Sequence, residues 1–281
     1  MKEKIIFLDD NYKESITMKD FISIDELKSF LKSPRNYFFE TIVNKKQIEV
    51  YSLGLCVYEL LFNETIFNEK YIVSPKFDRR TKAGKDAYVK FTEFESVGKI
   101  ILSYEENILI REISTNVLIN PELYNQIADS NYAKICYIID KNTGLKIKLK
   151  ADVFLEDEYL IDFQSCKESS PTKFKTEIEY HNHNLTAAFV LDFLNMKEYI
   201  FVSCESKPPY QICLYSLSEE YIISGREQYR MALDLLKWSY DNSFWCDYTE
   251  FEILKNIYNK GDLKDAMSIL QNQKKPLIYT L

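Results

Sequence analysis

The stretch that decides the fold is "ADVFLEDEYLIDFQSC", residues 151–166. Apolar and polar residues alternate on both sides of an acidic "EDE", so it reads as two strands joined by a tight turn. Each strand carries one carboxylate, Asp152 and Asp162. Two carboxylates on neighbouring strands are a donor set that a hard divalent cation such as Mg²⁺ accepts, with waters filling the rest of its shell. A period of two puts Lys146, Lys148, Lys150 and Asp152 on one face of their strand, and Asp162 and Gln164 on one face of theirs. If the two faces coincide, carboxylates and amines converge. A metal held there would polarise a phosphate and activate a water, and a neighbouring lysine would offset developing negative charge. The competing reading of the same residues is a surface hairpin of paired charges, worth roughly 0–1 kcal/mol.

Working outward, "YAKICYIID" and "LKIKLKADVF" flank "KNTG", a hairpin turn signal, so residues 132–140, 145–154 and 159–164 form three successive strands. A helix over 174–195 follows, then strands "EYIFVSCE" and "YQICLYSL" joined by "SKPP", then a helix over 218–240. Upstream, Ser23 with Glu26 makes a capping box, and Ser33-Pro34 restarts a second short helix. Further helices are expected over 50–61, after the basic stretch 76–90, over 104–118 and from Pro121. This order predicts an α/β (α+β) domain with one central mixed sheet flanked by helices. The expected organisation is an N-terminal segment over 1–20, one domain over 21–250, and a helical extension over 251–281 with Gly261 between two short helices.

Composition bounds the function. The chain has 281 residues, 46% hydrophobic and 28% charged, enough to bury a sizeable core. Only 6 glycines argue against long flexible linkers. No apolar run reaches membrane-span length, and the N-terminus reads as neither signal nor transit peptide. The 6 scattered cysteines include no C-x-x-C pair, which reads as buried thiols in a cytoplasmic protein. A net charge of −7 argues against general nucleic-acid stickiness and leaves room for a local basic surface. Arg79, Arg80, Lys82 and Lys85 form such a run, suited to phosphates, a solvated face being the alternative. His181 and His183, two residues apart, do not share a helix face, which disfavours a zinc pair. Trp238 and Trp245 read as core anchors.

Several segments together resemble the RecE-type (exodeoxyribonuclease VIII) branch of the PD-(D/E)XK nuclease superfamily, of phage and prophage type. They are "LKSFLKSPRNYF", "GLCVYELLFNETIF", "FDRRTKAGKDAY", "TGLKIKLKADVF", "YLIDFQSC", "FVSCESKPPY" and "GREQYRMALDLLKW" before "FWCDY", spanning roughly residues 20–248. The resemblance implies metal ligands at Asp152 and Asp162. It also implies departures. The lysine of the D-x-K pair falls on Gln164, a histidine on Tyr58, a glutamate on Lys134, and a glutamine and tyrosine on Thr186 and His183. Lysines migrate among such relatives, so Lys150 or Lys148 is the expected stand-in. An ammonium at Lys134 is expected to repel Mg²⁺ and to pair with Asp162. Losing one electrostatic group of this kind typically costs about 3–4 kcal/mol of transition-state stabilisation.

Two functions follow. The first is a catalytically impaired nuclease scaffold, with Mg²⁺ weakly bound or absent, that engages double-stranded DNA or a host defence or recombination protein. The second is an active Mg²⁺-dependent 5′-to-3′ double-strand exonuclease for homologous recombination, with a catalytic set rearranged around Asp152, Asp162, Gln164 and Lys150. Homo-oligomeric rings are implied by the resemblance alone.

Overall fold

The structure, a computed structural model, describes residues 21–43 and 52–272. The expected segment over 1–20, the start of the helix expected from residue 50 and the end of the extension lie outside the described residues.

The main sheet has six strands. It is built on the two hairpins read from the sequence: β4 (Asn131–Ile139) at one edge, β5 (Lys146–Leu155) and β6 (Tyr159–Cys166). β4 and β5 are antiparallel, with Ile138 opposite Ile147. Their turn works because Gly144 takes a φ of 71°, a conformation that costs glycine little. β6 runs antiparallel to β5 and parallel to β7 (Glu198–Glu205), which pairs with β8 (Ile212–Tyr215). A two-residue strand, β1 (Ile22–Ser23), joins β5 in parallel at Ile147 and Lys148. A separate parallel pair, β2 (Tyr71–Val73) with β3 (Ile100–Leu102), lies off the sheet. The mixed α/β architecture is as expected; β1, β2 and β3 are too short for their alternation to register in sequence.

Apolar side chains on the two sheet faces build two cores. Register puts Leu160 beside Tyr199 and Asp162 beside Phe201 on one face, and Ile161 beside Ile200 and Phe163 beside Val202 on the other. The first face is covered by α1 (Ile24–Lys32), α9 (His183–Leu194) and α10 (Glu219–Asn242), with Phe30, Phe189, Phe201 and Trp238 in one cluster. The second is covered by α3 (Leu53–Phe62), α6 (Tyr104–Leu118) and α7 (Pro121–Ala128) through Val57, Ile110, Ile113 and Leu123. Each such side chain contributes roughly 1.5–3 kcal/mol on burial. Capping boxes start α1 at Ser23 and Glu26, and α6 at Ser103 and Glu106, and Ser33 caps the short α2 (Pro34–Tyr37) expected after it.

The long helix expected over 174–195 is two helices, α8 (Pro171–Tyr180) and α9, broken where Asn182 adopts a left-handed φ of 50°. Asparagine tolerates that conformation better than most residues. α4 (Glu64–Lys70) was not anticipated, whereas α5 (Lys82–Lys90) follows the basic stretch as expected. At the other end, α11 (Tyr248–Lys260) and α12 (Ala266–Asn272) flank Gly261, whose φ is 80°. They pack into the first core, with Phe251 edge-on to Phe30 at 5.5 Å. Five of the cysteines are buried and Cys213 is half-buried; all are free thiols.

Candidate functional site

Asp152 and Asp162 come together because β5 and β6 pair only briefly. Val153 opposes Ile161, and beyond that pair β5 turns toward β1 and β4 while β6 continues along β7. The two aspartates are the next residues past Val153 and Ile161, where the strands part. They line a small cavity of about 60 Å³ with Ser52, Lys150, Thr186 and Tyr199. That is room for a cation and a few waters.

Helices from both cores close this cavity. Ser52 is the N-cap of α3: its hydroxyl accepts from Leu55 N at 3.2 Å and donates to Asp152 Oδ2. Gly54 lets the first turn of α3 lie flat on the sheet, since a Cβ there would sit 3.1 Å from the Phe163 ring. From the other side α9 contributes Thr186 and Val190, one helical turn apart.

The two carboxylates are served very differently. The Gln164 amide donates to both Asp162 oxygens, at 2.9 and 2.8 Å, and the Tyr199 hydroxyl donates to Oδ2 at 2.7 Å. Burial nonetheless pushes the Asp162 carboxyl above its usual range, offset only in part by those bonds and by the Lys28 charge. Asp152 Oδ1 is buried and accepts no hydrogen bond. The Lys150 ammonium stands 3.2 Å from it as an ion pair without hydrogen-bond alignment. Thr186 Oγ1 is likewise buried without a partner. Buried oxygens without a hydrogen-bond partner are rare in folded proteins, and each calls for an explanation such as a bound water or ion. The donor set is all oxygen, so it fits a hard divalent cation in kind. Asp152 and Asp162 would hold it, once Asp162 gives up part of its bond to Gln164.

The structure therefore brings together Asp152, Asp162, Gln164 and Lys150. Lys146 and Lys148 do not line the cavity. The pairing of Lys134 with Asp162 does not form: Lys134 sits opposite Ala151, across β5 from Asp162, and bonds Glu156. Tyr58 stacks on Tyr132 at 4.3 Å, away from the cavity. His183 is buried 5.7 Å from the Phe201 ring, whereas His181 pairs with Glu177 at 3.1 Å.

Sequence reasoning missed Ser52, Tyr199 and Lys28. Lys28 lies on α1 one turn after buried Ile24; burial lowers its pKa while Asp25 and Asp162 pull it back up. A lysine on the apolar stripe of a helix was the available signal.

The basic run is more committed internally than its composition suggests. Arg80 forks onto Asp78, Nε at 2.8 Å and Nη2 at 3.2 Å. Arg79 lies over the Tyr88 ring at 4.3 Å. Lys82 and Lys85 open α5 and are exposed. Gly84 is required by this loop, since a Cβ there would come within 2.1 Å of the Asp78 carbonyl oxygen.

Among the described residues no helix is long and apolar enough to cross a membrane. No curated protein matches the chain. Of solved structures, a proposed exonuclease of Eubacterium rectale superposes with a TM-score of 0.52 at 12% identity, over 83% of this chain and 87% of that one. A phage-related exonuclease of Haemophilus somnus gives 0.30 at 10% identity, over 72% of this chain and 99% of that one. The first likeness is one of fold, with a central mixed sheet between helices. A family model, the PDDEXK-like domain of unknown function (DUF3799), matches residues 23–256 and so takes in both aspartates, the basic run and all six strands of the main sheet but the first residue of β1. With a hairpin that presents two carboxylates at a strand divergence, the chain belongs to this PDDEXK-like family and, through it, to the PD-(D/E)XK nuclease superfamily.

Proposed function

We propose that the protein is a RecE-branch, phage-type member whose nuclease chemistry has decayed and which acts by binding, to double-stranded DNA or to a host defence or recombination protein. The observation that carries this reading is Gln164. Its amide spans both Asp162 oxygens, so the residue standing where the superfamily's lysine is expected caps a metal ligand and supplies no charge. A neutral amide cannot offset negative charge on a phosphorane, a loss of about 3–4 kcal/mol, or some 10²–10³ in rate. Burial adds to the effect, since a carboxyl that resists ionisation is a poor ligand.

A bound Mg²⁺ would supply a polarised phosphate and an activated water. What the chain's own residues do is narrower. Asp152 offers one open oxygen, Ser52 fixes the other, and Lys150 holds a positive charge at the rim. That last contact favours a second reading, an active 5′-to-3′ exonuclease in which Lys150 replaces the missing amine.

The deciding experiment is degradation of linear duplex with Mg²⁺ and with Mn²⁺, alongside Asp162→Ala and Lys150→Ala. Little or no turnover, with duplex binding retained, is expected. Robust turnover that disappears in both variants would overturn the decayed reading in favour of the second.

A further inference from the structure

Among the described residues, the second face of the main sheet is only partly covered. It is buried from Val153 across β6 and β7, where Ile161, Phe163, Ile200 and Val202 enter the second core. Toward the start of β5 the packing changes. Cys136, Ile138, Ile147 and Leu149 point into the first core, so their strand neighbours point to the second face. On β5 these neighbours are Lys146, Lys148 and Lys150, and on β4 they are Ile135, Tyr137 and Ile139. None of the six joins either core. Ile139 is 49% exposed, and Lys146 and Lys150 are exposed as well.

Register sorts the six into two parallel rows. Lys146 lies opposite Ile139, Lys148 opposite Tyr137 and Lys150 opposite Ile135. One strand thus carries a row of amines about 7 Å apart, and the next, about 5 Å away, carries an apolar row. The apolar row has an aromatic centre. The Tyr137 ring meets the Phe21 ring edge-on at 4.6 Å, and Lys146 Nζ lies 5.7 Å from the Phe21 centroid. Of the three amines only that of Lys150 is ion-paired among the described residues, with Asp152 at 3.2 Å. The amine row therefore leads into the cavity that holds the two aspartates. Like charges in a row on one strand face repel one another, a cost that an anionic partner removes.

We infer that this sheet face binds a single nucleic-acid strand, with phosphates along Lys146, Lys148 and Lys150 and bases against Tyr137 and its apolar neighbours. A single strand has the matching construction, a charged edge beside a row of flat apolar faces. Proteins hold such strands with amines that track the backbone and aromatic rings that take the bases. The rows end at Asp152, so a bound strand is delivered to the two carboxylates. A duplex keeps its bases stacked inside and cannot set them against Tyr137, which leaves it to a separate surface such as the basic run. This assignment rests on the nucleic-acid half of the proposed function and adds the form of strand that the site takes.

The test is fluorescence anisotropy with the full chain, in the absence of divalent metal, using labelled oligothymidylate, its duplex with oligoadenylate, and poly-glutamate as a competitor. Saturable binding of the single strand at low salt is expected. Lys146→Gln with Lys148→Gln should flatten the log–log salt slope of that binding by about 1.4, at about 0.7 for each phosphate contact. Tyr137→Thr keeps a residue that suits a strand and should weaken binding at least about fivefold with the slope unchanged. All three positions are exposed or half-buried, so thermal melts close to wild type are expected. Arg79→Ala should leave single-strand affinity unmoved. Duplex affinity without single-strand affinity, or single-strand affinity unmoved by the lysine pair and by Tyr137→Thr, would overturn the inference and leave the nucleic-acid reading standing. No affinity for either form would overturn both. Poly-glutamate that displaces the strand at equal charge concentration would overturn the assignment in favour of an acidic protein segment.

Discussion

At one end of β5, Asp140 is a fully satisfied buried acid; at the other, Asp152 is not. Asp140 is 3% exposed and accepts from both ends of the Arg230 fork at 2.8 Å, and from Thr143 N at 2.9 Å. Burial pushes its carboxyl up, but Arg230 and Thr143 pull harder, leaving it below the usual range. Arg230 also bonds Asp234, which takes the Tyr258 hydroxyl at 2.8 Å, so the network ties the β4–β5 turn to α10 and α11. The Asp152 and Asp162 pair is less secluded, with the Asp152 side chain a quarter exposed, and it keeps an oxygen that meets only the Lys150 charge and a carboxyl held above its range. Both clusters are products of long-range packing. A completed network rigidifies a fold, and an incomplete one is a place for chemistry or ligand.

The sharpest way to break this contrast is to remove one charge from each. Arg230→Met leaves Asp140 buried and uncompensated and is expected to cost about 3–5 kcal/mol in urea unfolding. Asp162→Asn is expected to stay within about 1 kcal/mol of wild type, because burial already disfavours the anion and binding sites are seldom optimised for stability. Equal losses in the two variants would erase the distinction.

A second test uses pH. Burial, with Lys28 and His181 nearby, lowers the His183 pKa to about 3. An unfolded histidine titrates near pH 6.5. Between those values the unfolded chain binds a proton that the folded one refuses, so stability is complete above about 6.5 and lost as pH falls toward 3. At about 1.4 kcal/mol per pH unit, moving from pH 7 to 5 costs about 2 kcal/mol. Below about pH 4 the loss of Asp140 ionisation acts in the same direction. His183→Gln should remove the slope above pH 5. A slope unchanged in that variant would place the titrating group elsewhere.

Metal binding probes the open cluster directly. Mg²⁺ at ten times its dissociation constant should raise unfolding free energy by about 1.4 kcal/mol, and Asp152→Ala with Asp162→Ala should abolish the effect. Gln164→Ala frees Asp162 Oδ1 and leaves Oδ2 with the Tyr199 hydroxyl alone, and it should shift the titration midpoint to lower Mg²⁺. A midpoint unmoved by Gln164→Ala would mean that the amide is no obstacle to the ion.

Much of this was legible in the chain because the signals are local. Alternation over 146–155 and 159–166, "KNTG" with Gly144 at positive φ, and Ser23 before Glu26 each act within a few residues. The expected faces also held where they mattered, with Lys150 beside Asp152 and Gln164 beside Asp162. What escaped was set by approach of distant segments. Ser52 reaches Asp152 across 100 positions, Tyr199 reaches Asp162 across 37, and β1 joins β5 only because the sheet opens there. The break at Asn182 needed a backbone angle, and the role of Gly84 needed the Asp78 carbonyl beside it. The pairing of Lys134 with Asp162, expected from charge, fails because strand register sets Lys134 opposite Ala151 and within reach of Glu156.

The smallest expected effect concerns the basic run, and the structure reorders its members. From composition alone both arginines should dominate, since the guanidinium is the better phosphate fork. Arg80 is already engaged with Asp78, so a phosphate would have to displace a carboxylate from it. Arg79 lies over the Tyr88 ring yet is exposed, and Lys82 and Lys85 present their amines to solvent. If the proposed DNA binding uses this surface, Arg79→Ala and Lys82→Ala should each flatten the log–log salt dependence of duplex affinity by about 1. Arg80→Ala should change that slope less, and it leaves Asp78 exposed as a new local negative charge. Labelled duplex titrated at several salt concentrations reads all three. An Arg80→Ala slope change as large as that of Arg79→Ala would show that the Asp78 fork opens on binding, and no duplex affinity at low salt would move the anionic partner of this face from DNA to an acidic protein surface.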